Sequence, residues 1–95
     1  MFIHMFSFRW KQGVTEQQKH RVFEEVNALK DHIPGILDSA AGFNTSPRGQ
    51  GYEFGGVMKF NDRAAYEAYN APPVHQQLLT WLLPLVDPME LDFEL

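Results

Sequence analysis

Two residues near the C-terminal third have the types and spacing that acid–base chemistry needs. His75, Leu78, Leu79 and Leu82 follow the i, i+3, i+4, i+7 spacing that places side chains on one helix face, while Gln76, Gln77 and Thr80 fall largely on the other. The histidine therefore belongs to the apolar side. A lone histidine there serves either as a core residue bonded to a carbonyl or as a group whose proton moves near working pH. Tyr69 lies six residues earlier, across Pro72-Pro73, and can fold toward the same space.

The elements that must position these residues can be read from the same chain. Proline lacks the donor a helix interior needs but suits a first turn, so the pair ends one helix and starts another near Pro73. Asn61 or Asp62 caps the preceding helix, which carries Ala64, Ala65, Tyr66, Ala68 and Tyr69. Thr15-Glu16-Gln17-Gln18 is a capping box that opens the first helix, with Val22, Phe23, Val26, Leu29 and Ile33 as its buried stripe and Pro34-Gly35 as its end.

Met1 to Trp10 reads as a strand that is apolar on both faces, with Phe2, His4, Phe6 and Phe8 alternating with Ile3, Met5, Ser7 and Arg9. If helices cover the Ile3 and Met5 face, the aromatic row with His4 needs another cover. Ile36 to Asn44 is a weak edge strand, followed by a polar turn-rich loop to Gly51 of the kind that can cover ligands. Tyr52 to Phe60 is the third strand, where Gly55-Gly56 marks a bulge or a close approach. Met89, Leu91, Phe93 and Leu95 alternate with Glu90, Asp92 and Glu94, a half-buried strand with a charged outer face.

The order is β-α-β-β-α-β with the second helical unit broken. It predicts an α+β, ferredoxin-like fold with a four-stranded antiparallel sheet and helices on one face. Residues 1–95 form one domain, and a chain of this size buries only roughly 60–65% of its unfolded surface. An open face lined by Phe2, His4, Phe6, Phe54 and Met58 is too apolar for water, so two sheets are expected to face each other in a homodimeric α/β barrel. Such a pair can hold a pocket for a small apolar or aromatic ligand, with His4, Tyr52, Tyr69 and His75 as its polar groups.

Composition excludes several functions. The chain has no cysteine, which removes disulfides and thiolate chemistry. A net charge of −4 with scattered lysine and arginine argues against a phosphate backbone as partner. Gly51-Tyr52-Glu53-Phe54 echoes an RNA-recognition strand, but Gln50 stands where a basic residue belongs, so no nucleic acid is expected. No apolar run is long enough to span a bilayer, and the strand-like start at Met1 without a leader predicts a cytoplasmic protein with no membrane partner. His4, His20, His32 and His75 lie at no ligand spacing, so no metal is expected.

Several short motifs in order resemble the stress-responsive dimeric α/β barrel (Dabb) family. They are His4 on a Phe-rich first strand, Ile33-Pro34-Gly35, Gly42-x-Asn44, Gly51-Tyr52, and Tyr69-x-x-x-Pro73-x-His75 before Leu82-Leu83-Pro84-Leu85-Val86. The family includes plant stress-induced proteins and a plant polyketide cyclase that makes olivetolic acid by aldol condensation. The resemblance implies cofactor-free proton transfer by His75 and Tyr69, with His4 matching a first-strand histidine; His4, Phe6, Tyr52, Phe54 and Trp81 are the residues expected to bind substrate. Phe54 and Pro72 replace two histidines of that cyclase, so its own reaction is not expected here. The alternative is a non-catalytic stress-response or ligand-carrying dimer.

Overall fold

A computed structural model describes all 95 residues. Four strands, β1 (Phe2–Trp10), β2 (Asp38–Phe43), β3 (Phe54–Phe60) and β4 (Val86–Glu94), form one antiparallel sheet in the order β2-β3-β1-β4. Three helices, α1 (Glu16–His32), α2 (Arg63–Tyr69) and α3 (Pro73–Leu82), cover one face, and a 3₁₀ turn at Leu83–Leu85 leads into β4. This is the ferredoxin-like arrangement.

Local chemistry sets the helix boundaries. Thr15 caps α1 with both arms of the box formed, its Oγ1 accepting from the Gln18 amide and the Thr15 amide donating to Gln18 Oε1. Asp62 caps α2 by accepting from the Ala65 amide at 2.8 Å. Pro72 stands at the start of α3 with ψ of 140°, extended backbone that breaks the helical path, and Pro73 fills the first turn. The short link between Tyr69 and Pro73 lets two helices turn about one point.

The faces of the sheet are reversed from the expectation. Phe2, His4, Phe6 and Phe8 lie under the helices, each buried, and Phe54, Met58 and Phe60 share that layer. The other face carries Met5, Met89, Leu91 and Phe93, which are 39–58% exposed. The reason is packing, because α2 brings Tyr66 onto Phe2 in a stack with centroids 4.5 Å apart and Tyr66 and Tyr69 against His4. That aromatic row offers the helices more apolar area than Ile3, Met5 and Ser7 do.

β4 is reversed with it. Antiparallel pairing places Glu90 opposite Phe6, Asp92 opposite His4 and Glu94 opposite Phe2, so the carboxylates lie on the helix side and the apolar residues on the open side. Each acid near the edge finds a use there: Asp92 meets His4 and Glu94 meets Arg63 at 2.8 Å. Phe23 also leaves the expected buried stripe, since the sheet ends beside it; it is 38% exposed and stacks on Phe43.

β3 runs through Gly55-Gly56 in regular register with no bulge. The glycines serve close approach, for a Cβ on Gly56 would lie 2.5 Å from Phe6 Cζ and 2.8 Å from Ala41 Cβ.

Candidate functional site

α2 presents Tyr66 and Tyr69 one turn apart toward β1, and the first turn of α3 presents His75 back toward them. The rings of Tyr69 and His75 meet with centroids 4.2 Å apart, and His4 reaches the same cluster at 6.1 Å from Tyr69 and 5.0 Å from Tyr66. A cavity of about 120 Å³ opens among these rings, walled by Phe6, Phe8, Val26, Leu29, Met58 and the apolar side of α3. Asn70, Leu83, Pro88 and Glu90 are its exposed lining residues and mark its mouth.

The electrostatics separate the cavity's polar groups into roles. Burial lowers the His75 pKa below its usual 6.5, with His4 adding to the effect and the Asn70 backbone opposing it, so the imidazole is neutral at pH 7. Its Nδ1 is buried without a hydrogen-bond partner. Burial raises the Tyr69 phenol well above 10, and the Tyr66 phenol and Glu90 push it further. Tyr66 is raised to about 12 by burial, then by the charges of Asp92 and Glu90 and hydrogen bonding to Asp92. Both phenols therefore keep their protons across the physiological range and act as donors.

His4 is held differently. Its Nδ1 donates to Asp92 Oδ1 at 2.6 Å, since an ionised carboxylate only accepts, which leaves Nε2 as the free nitrogen of that ring. A neutral imidazole with a free Nδ1 and one tied to a carboxylate thus flank two protonated phenols.

Of the residues singled out from sequence, His75, Tyr69, His4 and Phe6 line this one cavity. Tyr52, Phe54 and Trp81 do not. Tyr52 precedes β3 and lies under the Arg9 guanidinium, 4.3 Å from ring centre to Cζ. Phe54 is fully buried between Phe8 and Phe43. Trp81 packs half-buried at the edge of the core, away from the cavity, and carries Arg21, whose Cζ sits 3.8 Å above the ring centre. The loop after β2 does not cover the cavity either; Asn44 ties it to the Tyr52 carbonyl at 2.7 Å.

Sequence reasoning missed Tyr66, Asp92 and Glu90. Tyr66 had a signal, its i, i+3 spacing from Tyr69. No three His, Asp or Glu side chains converge as a metal site, and no helix is long and apolar enough to cross a membrane.

Fold and cavity together define a ferredoxin-like domain with an aromatic-lined site between its sheet and its broken helical unit. The chain belongs to the Dabb family, the stress-responsive A/B barrel domain, whose family model matches residues 2–95. A dimeric ferredoxin-like protein of unknown function from Thermobifida fusca is similar at 26% identity and a TM-score of 0.87, covering 99% of this chain and 90% of that one. A Dabb family protein from Mesorhizobium loti is also 26% identical, with a TM-score of 0.83 over 99% of this chain and 95% of that one. A hydroxynitrile lyase from Passiflora edulis shares the fold at 15% identity and a TM-score of 0.87, covering 97% of this chain and 90% of that one. No curated protein matches by sequence.

Proposed function

We propose that this protein is a homodimer whose protomers each bind a small apolar or aromatic molecule and act on it by cofactor-free acid–base catalysis, with His75 as base and Tyr69 as donor. The observation that carries this reading is the contact between a neutral imidazole and a protonated phenol, 4.2 Å apart by ring centres, inside an apolar cavity. His75 takes a proton from a carbon beside a carbonyl, and Tyr69 donates a hydrogen bond to the oxygen that gains charge. The resulting enolate carbon bonds to a second carbonyl carbon in an aldol step, and the imidazolium returns the proton to the new alkoxide. The fold shared with a hydroxynitrile lyase supports treating the cavity as a place for chemistry on a small molecule.

Imidazole NMR of His75 tests the reading, with a panel of small phenols and β-diketones. The ring is expected to titrate below 6.5 and to shift saturably with one ligand class, which then becomes the substrate set for turnover assays. A His75 that no ligand moves would remove the proposed site. One observation favours the non-catalytic carrier: no side chain orients His75 at Nδ1, whereas an activated base is usually held by a third group. Saturable shifts with no chemical change in any ligand would decide for that carrier.

The dimer rests on the exposed row of Met5, Met89, Leu91 and Phe93 and on the dimeric relatives. Leu91→Asp places a charge in that row and is expected to give a one-chain mass by sedimentation where the wild type gives two. A wild type of one-chain mass would overturn the dimer.

A further inference from the structure

The lining of the cavity carries a charge asymmetry that bears on what it can hold. No lysine or arginine lines it, and Glu90 is its one carboxylate, exposed at the mouth and directly opposite Phe6 in the sheet register. The imidazoles offer no unpaired cation: burial disfavours the charged form of His75, and His4 is paired directly with the Asp92 carboxylate. The nearby Arg63 is paired with Glu94. Glu90 reaches inward electrically, since its charge helps to hold the protons on both Tyr66 and Tyr69.

We propose that this cavity selects uncharged ligands, such as aldehydes, ketones, amides and phenols of one-ring size, and rejects carboxylates, with Glu90 the residue that sets the choice. The proposal rests on the reading of the cavity as a ligand site and adds its substrate class. A volume of about 120 Å³ suits one ring, near the roughly 150 Å³ of an engineered cavity that takes up benzene. Tyr69 can donate to a neutral carbonyl oxygen as well as to a carboxylate, whereas the Tyr66 hydroxyl already bonds Asp92, so hydrogen bonding alone does not discriminate. Charge does. A carboxylate entering past Glu90 loses water, meets no cation and feels a like charge. The reaction that supplies this site must therefore deliver its carbonyl in uncharged form.

Benzamide and benzoate test this, because they share a shape and differ in charge. Each is titrated into the dimeric protein at neutral pH and low salt, with the His75 ring signals as readout, in wild type and in Glu90→Gln. Benzamide is expected to bind at least about tenfold more tightly than benzoate. Glu90→Gln should tighten benzoate several-fold and leave benzamide within about twofold, and added salt should narrow the wild-type gap. Benzoate binding as tightly as benzamide in the wild type would overturn the selectivity while leaving the cavity in place. An unchanged gap in Glu90→Gln would remove Glu90 from the role. Silence of His75 toward both probes would sink the proposal together with the ligand site it rests on.

Discussion

Replacing His75 by glutamine is expected to lower turnover of a true substrate by about 10²- to 10⁴-fold, the usual contribution of a positioned proton-transfer group. Glutamine fills similar space and keeps a polar end, so loss of rate would report on the proton rather than on packing. The effect should fall on kcat, since the same cavity walls hold the substrate in both proteins. Tyr69→Phe keeps the ring that packs against His4 and His75 and removes only the donor, and it should cost about 10²- to 10³-fold. Unchanged rates in both variants would end the catalytic reading.

The pH dependence follows from the same burial. A base works when neutral, and burial disfavours the imidazolium, so the acid limb of kcat/KM should lie below 6.5 and vanish in the glutamine variant. Stability carries the matching sign. As pH falls below the ordinary histidine value, the unfolded chain takes up a proton that folded His75 refuses, so the native state weakens as pH drops toward the lower folded value. His75→Gln should flatten that slope, which would confirm the buried imidazole even where no turnover is found.

How much of this was legible in the sequence depends on what kind of information each feature needs. The capping box at Thr15, the break at Pro72-Pro73 and the apolar spacing from His75 to Leu82 are local, and the structure forms them at those positions. The ferredoxin-like fold followed from the succession of elements. The choice of sheet face did not, because Phe2, His4 and Phe6 on one side and Ile3 and Met5 on the other are both apolar, and period-2 alternation gives a phase without saying which side meets the helices. α2 decides it by stacking Tyr66 on Phe2.

That one decision reassigns the rest of the site. Once His4 faces the helices, the cross-strand register brings Asp92, 88 positions away in sequence, to its Nδ1, and places Glu90 opposite Phe6 at the cavity mouth. No local spacing encodes such a contact. Phe54 and Tyr52 lie away from this cavity because Phe54, though on the helix side, packs between Phe8 and Phe43, and Tyr52 precedes β3 under Arg9; both border a separate hollow beside Phe43 and Asn44.

Gly56→Ala should be among the most damaging single-methyl changes in the domain. The backbone at Gly56 has no left-handed φ, so the cost is not strain in the chain. It is space: the added methyl would meet Phe6 Cζ at 2.5 Å, Ala41 Cβ at 2.8 Å and the Ala40 carbonyl oxygen at 2.9 Å. The phenyl ring can swing, but Ala40 and Ala41 belong to β2, so β2 must move away from β3 or the ring must move into the cavity it lines. Overpacking of this kind costs about 1–3 kcal/mol, and each kcal/mol lowers Tm by roughly 4–8 °C in a domain of this size. Gly42→Ala supplies the control, because its methyl would meet nothing within 4 Å and its φ is not left-handed, so its Tm should hold or rise slightly. Adding Ala41→Gly to Gly56→Ala removes one of the three clashes and should restore part of the loss. If Gly56→Ala instead matched Gly42→Ala in calorimetry, the close contact of Phe6 with β3 would be wrong, and with it the position of one wall of the site.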